Sequence, residues 1–221
     1  MSLEVTVVDY GMGNLFSVSR GIERCGGRVV LADKPEMLDA AEIIILPGVG
    51  AFADGMAELR KRGLVDALKK VASDNRPLLG ICLGMQMLLD TGKEFGVHEG
   101  LGIIPGTVES IPATGADGRP HKIPHIGWNA LVRPAQCATW EDSILAGVPE
   151  KSFAYFVHSF TPMPAHEENR LADCYYDGRR ISAAIRTGHV FGTQFHPEKS
   201  GPIGLHILRN FLALKTRAKS S

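Results

Sequence analysis

Apolar residues fall in short blocks along the first half of the chain, and the stretches between blocks have a different period. Residues 3–9, "LEVTVVD", are rich in β-branched side chains and read as a strand. "NLFSVSRGIERCGG" spaces its apolar residues three and four apart and runs into Gly26 and Gly27, the pattern of a helix with a glycine stop. "RVVLAD", "EIIILPG" and "RPLLGIC" are short apolar runs of strand length. Between "ILPG" and Pro77, the residues Met56, Leu59, Leu64, Leu68 and Val71 line one side of a long amphipathic stretch. "LGMQMLLD" then reads as a helix that continues from the last strand. Buried strands alternating with helices predict a parallel sheet covered on both faces.

The second half has another texture. "GIIPGTVESI", "PHIGWNALVRP", "FAYFVHSF", "LADCYYD", "RRISAAIRTG" and "HVFGTQFHPE" are strand-like runs separated by turn residues. Several are expected to pair antiparallel as an extension of the sheet. "GPIGLHILRNFLALKTRAKS" closes the chain as an amphipathic helix with a basic end expected to fray. No repeat or linker divides the sequence, so residues 1–221 are expected to form a single domain. The predicted fold is α/β, with an open, mostly parallel central sheet, helices on both faces and an antiparallel extension.

Composition narrows the class of partner. The 44% hydrophobic and 22% charged residues are those of a globular protein. Lys plus Arg and Asp plus Glu both number 24, which gives no electrostatic reason to expect nucleic acid or an acidic membrane. No apolar run reaches the roughly 18–20 residues that span a bilayer. The opening meets an acid at Glu4 and lacks the basic start of a signal peptide, which predicts a cytoplasmic protein. Cys25, Cys82, Cys137 and Cys174 form no C-x-x-C pair, so no zinc, redox motif or disulfide is expected, and no cofactor.

Cys82 stands apart because of its setting. It lies between Gly80 and Gly84 where a buried strand turns into a helix. G-x-C-x-G is the cysteine analogue of a nucleophile elbow. A sharp strand-to-helix turn strains the backbone at the nucleophile and leaves no room for side chains two positions away. The helix N-terminus favours thiolate over thiol, and the Leu83 N–H is placed to donate to a developing oxyanion. A packed cysteine in a glycine-rich turn would look the same until a base is found.

"TQFHPEKS" supplies a base. His196 falls at the end of a predicted strand, and Glu198, two residues on, is expected on the same side. The carboxylate would hold the second ring nitrogen and support the imidazolium. Pro47, Gly48, Val49 and Gly50 form a turn after the third strand, expected at the same sheet edge as Cys82, where backbone N–H groups can approach a substrate. Gln86 lies one helical turn past Cys82, suited either to bind substrate or to cap local backbone. "DYGMGNLF" is not a dinucleotide loop, because Phe16 stands where G-x-G-x-x-G needs its last glycine. Asn14 is suited to cap the helix that follows.

"PGVGAF", "GICLGMQ" and "QFHPEKS", in that order, resemble the class I (triad) glutamine amidotransferases, with a flavodoxin-like fold. The resemblance covers residues 9–200. It implies that Cys82 attacks the side-chain amide of L-glutamine, with His196 and Glu198 completing the triad. It implies an oxyanion hole from Leu83 with Val49 and Gly50, and glutamine binding at Gly50, Gln86, Glu94 and Ser159. "DYGMGN", "HIGWN" and "FVHSF" are similar to one branch of that family. Its glutaminase subunits form heterodimers with a (β/α)8-barrel cyclase that makes imidazole glycerol phosphate in histidine biosynthesis. Asn14, Trp128 and Lys199 lie in the matching segments and are expected near that partner, although Trp128 equally suits a core. The competing readings are a stand-alone cysteine γ-glutamyl hydrolase and a non-catalytic partner protein. The first does not require "DYGMGN" with "HIGWN", and the second does not require the triad.

Overall fold

The computed structural model describes residues 3–218, with side chains to residue 214. The expected fraying of the basic end falls partly on residues 219–221, outside the described residues. A seven-stranded sheet forms the centre, in the order β11-β12-β13-β4-β3-β1-β2. Five neighbours run parallel: β2 (Gly27–Ala32), β1 (Leu3–Val8), β3 (Ile44–Gly48), β4 (Leu78–Cys82) and β13 (Val190–Thr193). Taken alone these five have the flavodoxin-like order 2-1-3-4-5. β12 (Arg179–Thr187) and β11 (Arg170–Tyr176) add the antiparallel extension.

The alternation of side chains along each strand separates two cores. Val5, Val7, Ile43, Ile45, Leu79 and Ile81 face one side, where α1 (Leu15–Arg24) and α6 (Gly201–Ala218) bring Val18, Ile22, Ile207, Leu208 and Phe211. Val8, Ile44, Leu46 and Leu78 face the other. There α2 (Pro35–Asp39), α3 (Phe52–Lys61) and α4 (Leu64–Ser73) supply Leu38, Met56, Leu59, Leu64, Leu68 and Val71. The central strands β3 and β4 are buried at every position and carry no charged residue, as a sheet covered on both faces requires.

Three expectations need correction. The amphipathic stretch before Pro77 is two helices, because Gly63 (φ +69°) takes a left-handed conformation that ends α3 and starts α4. The helix after Cys82 is α5 (Leu83–Met87), and the chain then enters β5 (Leu89–Gly92). Of the later strand-like runs, only β11 and β12 extend the main sheet antiparallel. β5, β6 (His98–Glu99), β7 (Ile104–Ser110) and β10 (Phe160–Pro164) form a separate four-stranded sheet, and β8 (His125–Ala130) pairs with β9 (Phe153–His158) as a ribbon. Pairing was invisible because alternation within a run does not say which run it meets.

Candidate active site

The adjacent parallel strands β3, β4 and β13 end at one edge of the sheet. Gly48 is in register with Cys82, and Thr193 with Ile81, so residues 48–50, Cys82 and His196 are delivered side by side. Cys82 has φ 55° and ψ −110°, a left-handed conformation that a non-glycine residue adopts at a cost of about 1–3 kcal/mol. The glycines around it answer to close approaches. A Cβ on Gly84 would land on the Leu46 carbonyl, and one on Gly48 would strike Tyr10 and Leu83.

His196 and Glu198 do meet, with Nδ1 and Oε1 2.8 Å apart, but not through strand alternation. A 3-10 turn at Pro197–Lys199 folds the carboxylate back onto the ring. Ser200 fixes this turn: its Oγ donates to His196 O at 2.7 Å and accepts from Tyr155 N at 3.0 Å. His196 N donates to Tyr155 O at 3.0 Å, which straps the loop to β9. The Glu198 side chain is fully buried.

The imidazole Nε2 is buried and makes no hydrogen bond. Burial works against the imidazolium, but the neighbouring Cys82 sulfur and the Glu198 carboxylate outweigh it and push His196 up to about 9. The sulfur lies outside bonding geometry to the ring; it contacts Val157 O at 3.9 Å and accepts from Gln194 Nε2 at 3.6 Å. Tyr10, beside Gly48, has a buried hydroxyl with no partner, and burial followed by the Cys82 charge raises its pKa.

A cavity of about 280 Å³ opens over these groups. Val49, Gly50, Cys82, Leu83, Gln86, Glu94, Ser159 and His196 all line it, together with Val157, His158 and Phe160. The sequence-derived candidates therefore converge, with Glu198 directly behind His196. Gln86 is committed through its amide nitrogen, donating to Phe160 O at 3.1 Å and Gln194 Oε1 at 3.0 Å. Glu94 Oε2 accepts from Phe52 N at 2.8 Å. A larger concavity, about 480 Å³, lies between Lys69, Leu101 and Gly188, and neither cysteine nor histidine lines it. Among the described residues no cluster of three or more His, Cys, Asp or Glu is arranged to hold a metal ion.

Asn14 caps α1, its Oδ1 accepting from Ser17 N at 3.1 Å. Trp128 is 55% exposed on β8, packed edge-on against Tyr155, so it is not a core aromatic. Lys199 is exposed. Gln194, His158 and Ser200 were missed. Gln194 stands two residues before His196 in "TQFHPEKS", and only its contact with the sulfur sets it apart.

The family profile described as "Glutamine amidotransferase class-I" matches residues 6–214. The chain belongs to the class-I glutamine amidotransferases. "Imidazole glycerol phosphate synthase subunit HisH 1" of Legionella pneumophila (strain Lens) is 50% identical over 95% of this chain and 99% of that protein. "Imidazole glycerol phosphate synthase subunit HisH" of Geobacillus thermodenitrificans (strain NG80-2) is 45% identical over 96% of each. The solved structure described as PurLQS from Thermotoga maritima shares the fold of this amidotransferase, with a TM-score of 0.71 at 22% identity over 97% of this chain and 99% of that one. No helix among the described residues of the amidotransferase is long and apolar enough to cross a membrane.

Proposed function

We propose that this amidotransferase is the glutaminase subunit of a cytoplasmic imidazole glycerol phosphate synthase. It hydrolyses L-glutamine to glutamate and ammonia and passes the ammonia to a (β/α)8-barrel cyclase for histidine biosynthesis. The observation that carries this reading is the single cavity over Cys82 and His196, in a chain so close to HisH subunits along its length.

Cys82 is the nucleophile. His196 holds a proton at neutral pH, and the form of Cys82 that reacts is the thiolate beside it. The sulfur attacks the amide carbon, and the carbonyl oxygen becomes an oxyanion. Leu83, the first residue of α5, has an N–H with no partner inside the helix, and it donates there with the N–H groups of Val49 and Gly50. His196 Nε2 gives its proton to the leaving nitrogen, ammonia departs and a glutamyl thioester remains. Water, deprotonated by the now neutral ring, hydrolyses the thioester. Glu198 holds Nδ1 throughout and supports the charge that comes and goes on the ring.

Glutamine is held by Gln86, whose Oε1 is uncommitted, by Glu94 for the α-ammonium, by Ser159 for the α-carboxylate and by the Gly50 backbone. Asn14, Trp128 and Lys199 belong to the cyclase face. Phe16, 77% exposed, with Ile126, Trp128 and Phe153, gives that face apolar anchors.

Glutamate release should rise when the cyclase and its nucleotide ligand are added. A high rate that ignores both additions would favour a stand-alone hydrolase.

A further inference from the structure

An unbroken polar chain runs from the β8–β9 ribbon to the nucleophile. Asn129 Nδ2 donates to Tyr175 O at 2.9 Å and lies 3.4 Å from His125 Nε2. His125 Nδ1 is 3.0 Å from His158 Nε2, and His158 Nδ1 is 2.8 Å from Phe160 O. That carbonyl also accepts from Gln86, which donates to Gln194, which donates to Cys82 Sγ.

Counting protons leaves one arrangement. A carbonyl oxygen only accepts, so His158 carries its proton on Nδ1. Its Nε2 is then an acceptor, and His125 must carry its own proton on Nδ1. His125 Nε2 is left to accept from Asn129. A proton added to either ring would set N–H against N–H. Burial keeps both rings neutral, holding His158 down to about 3 and His125 down to about 4. The groups facing them act in both directions. His196 adds to the depression of His158, and His121 to that of His125, while Asp177 opposes the latter. Tyr176 and Phe156 stack on His125 at 4.2 and 5.1 Å, which fixes the ring plane. The same counting spends both Gln86 amide protons, so its Oε1 is the acceptor left for the cavity.

We propose that His125 and His158 are positioning residues. As a neutral pair of Nδ1–H tautomers they fix the Gln86 amide with its acceptor oxygen toward a substrate N–H, and point the Gln194 N–H at the sulfur. This rests on the glutaminase reading of the cavity for the identity of that substrate. His125 does not line the cavity, so its effect on glutamine is transmitted through His158.

The test uses two variants of the full chain with its cyclase. His125→Phe keeps the stacking and removes both nitrogens. His125→Asn places an amide N–H where Nδ1 stood. His125→Phe should raise KM for glutamine roughly tenfold with kcat changed less than about threefold, and His125→Asn should return KM to within about twofold of wild type. Equal KM in the two variants at equal thermal stability would overturn the proposal. Imidazole ¹⁵N NMR of the wild type provides an arm that does not depend on substrate. It should show both rings neutral with the proton on Nδ1 from pH 5 to 8. An Nε2–H tautomer, or titration in that range, would overturn the proposal even if His125→Phe fails to fold. A wild type inactive on glutamine would sink the glutaminase reading and leave the tautomers standing.

Discussion

In the proposed reaction Cys82, His196 and Glu198 play unequal parts. There the sulfur and the ring exchange bonds and protons with substrate, whereas Glu198 acts only through the ring. His196→Ala should therefore cost more in kcat than Glu198→Gln, which keeps a hydrogen-bond acceptor at 2.8 Å. Equal losses would show that the carboxylate charge itself is indispensable. The charge has a second consequence. His196 is raised above its ordinary 6.5 to about 9, so the folded state holds a proton that the unfolded state releases first. The stability it contributes is full below pH 6.5 and is lost as pH climbs through about 9. Denaturation midpoints should fall across that window in the wild type and fall less in Glu198→Gln. His125 and His158 do not blur the measurement, because their depressed values keep them neutral above pH 6.5. A wild-type profile flat from pH 6.5 to 9 would mean that His196 is neutral when folded.

At the scale of elements, the elbow is the part of the site most legible in the sequence. Gly80, Cys82 and Gly84 predict a strained strand-to-helix turn, and the positive φ of Cys82 bears that out. Gly84→Ala should lower the unfolding free energy by more than about 3 kcal/mol, because the new methyl meets the Leu46 carbonyl rather than a movable side chain. A melting temperature unchanged by that substitution would show that the turn relaxes freely. The chain after the elbow was less legible. "LGMQMLLD" has helical spacing throughout, but Leu89 pairs with Ile104, and that tertiary contact overrides local preference. The meeting of His196 and Glu198 was anticipated for the wrong reason: spacing of two suits a strand face, and Pro197 starts a 3-10 turn instead.

At the scale of the whole molecule, the parallel half could be read because strands buried on both faces are continuously apolar. "EIIILPG" and "RPLLGIC" need no partner to be recognised. The later strands divide among three sheets, and nothing within "FAYFVHSF" says that it leaves the β8 ribbon at His158 and joins β7 from Phe160. That switch is what brings Ser159 and the Phe160 carbonyl to the cavity. Three distant segments thus close on one sulfur, the proposed point of covalent attack. The rate of glutamate release from L-glutamine, in the presence of the cyclase, tests this most directly when wild type and Cys82→Ala are compared. Release should disappear in the variant while the cyclase still turns over with added ammonia; release at the wild-type rate from Cys82→Ala would rule Cys82 out as the nucleophile.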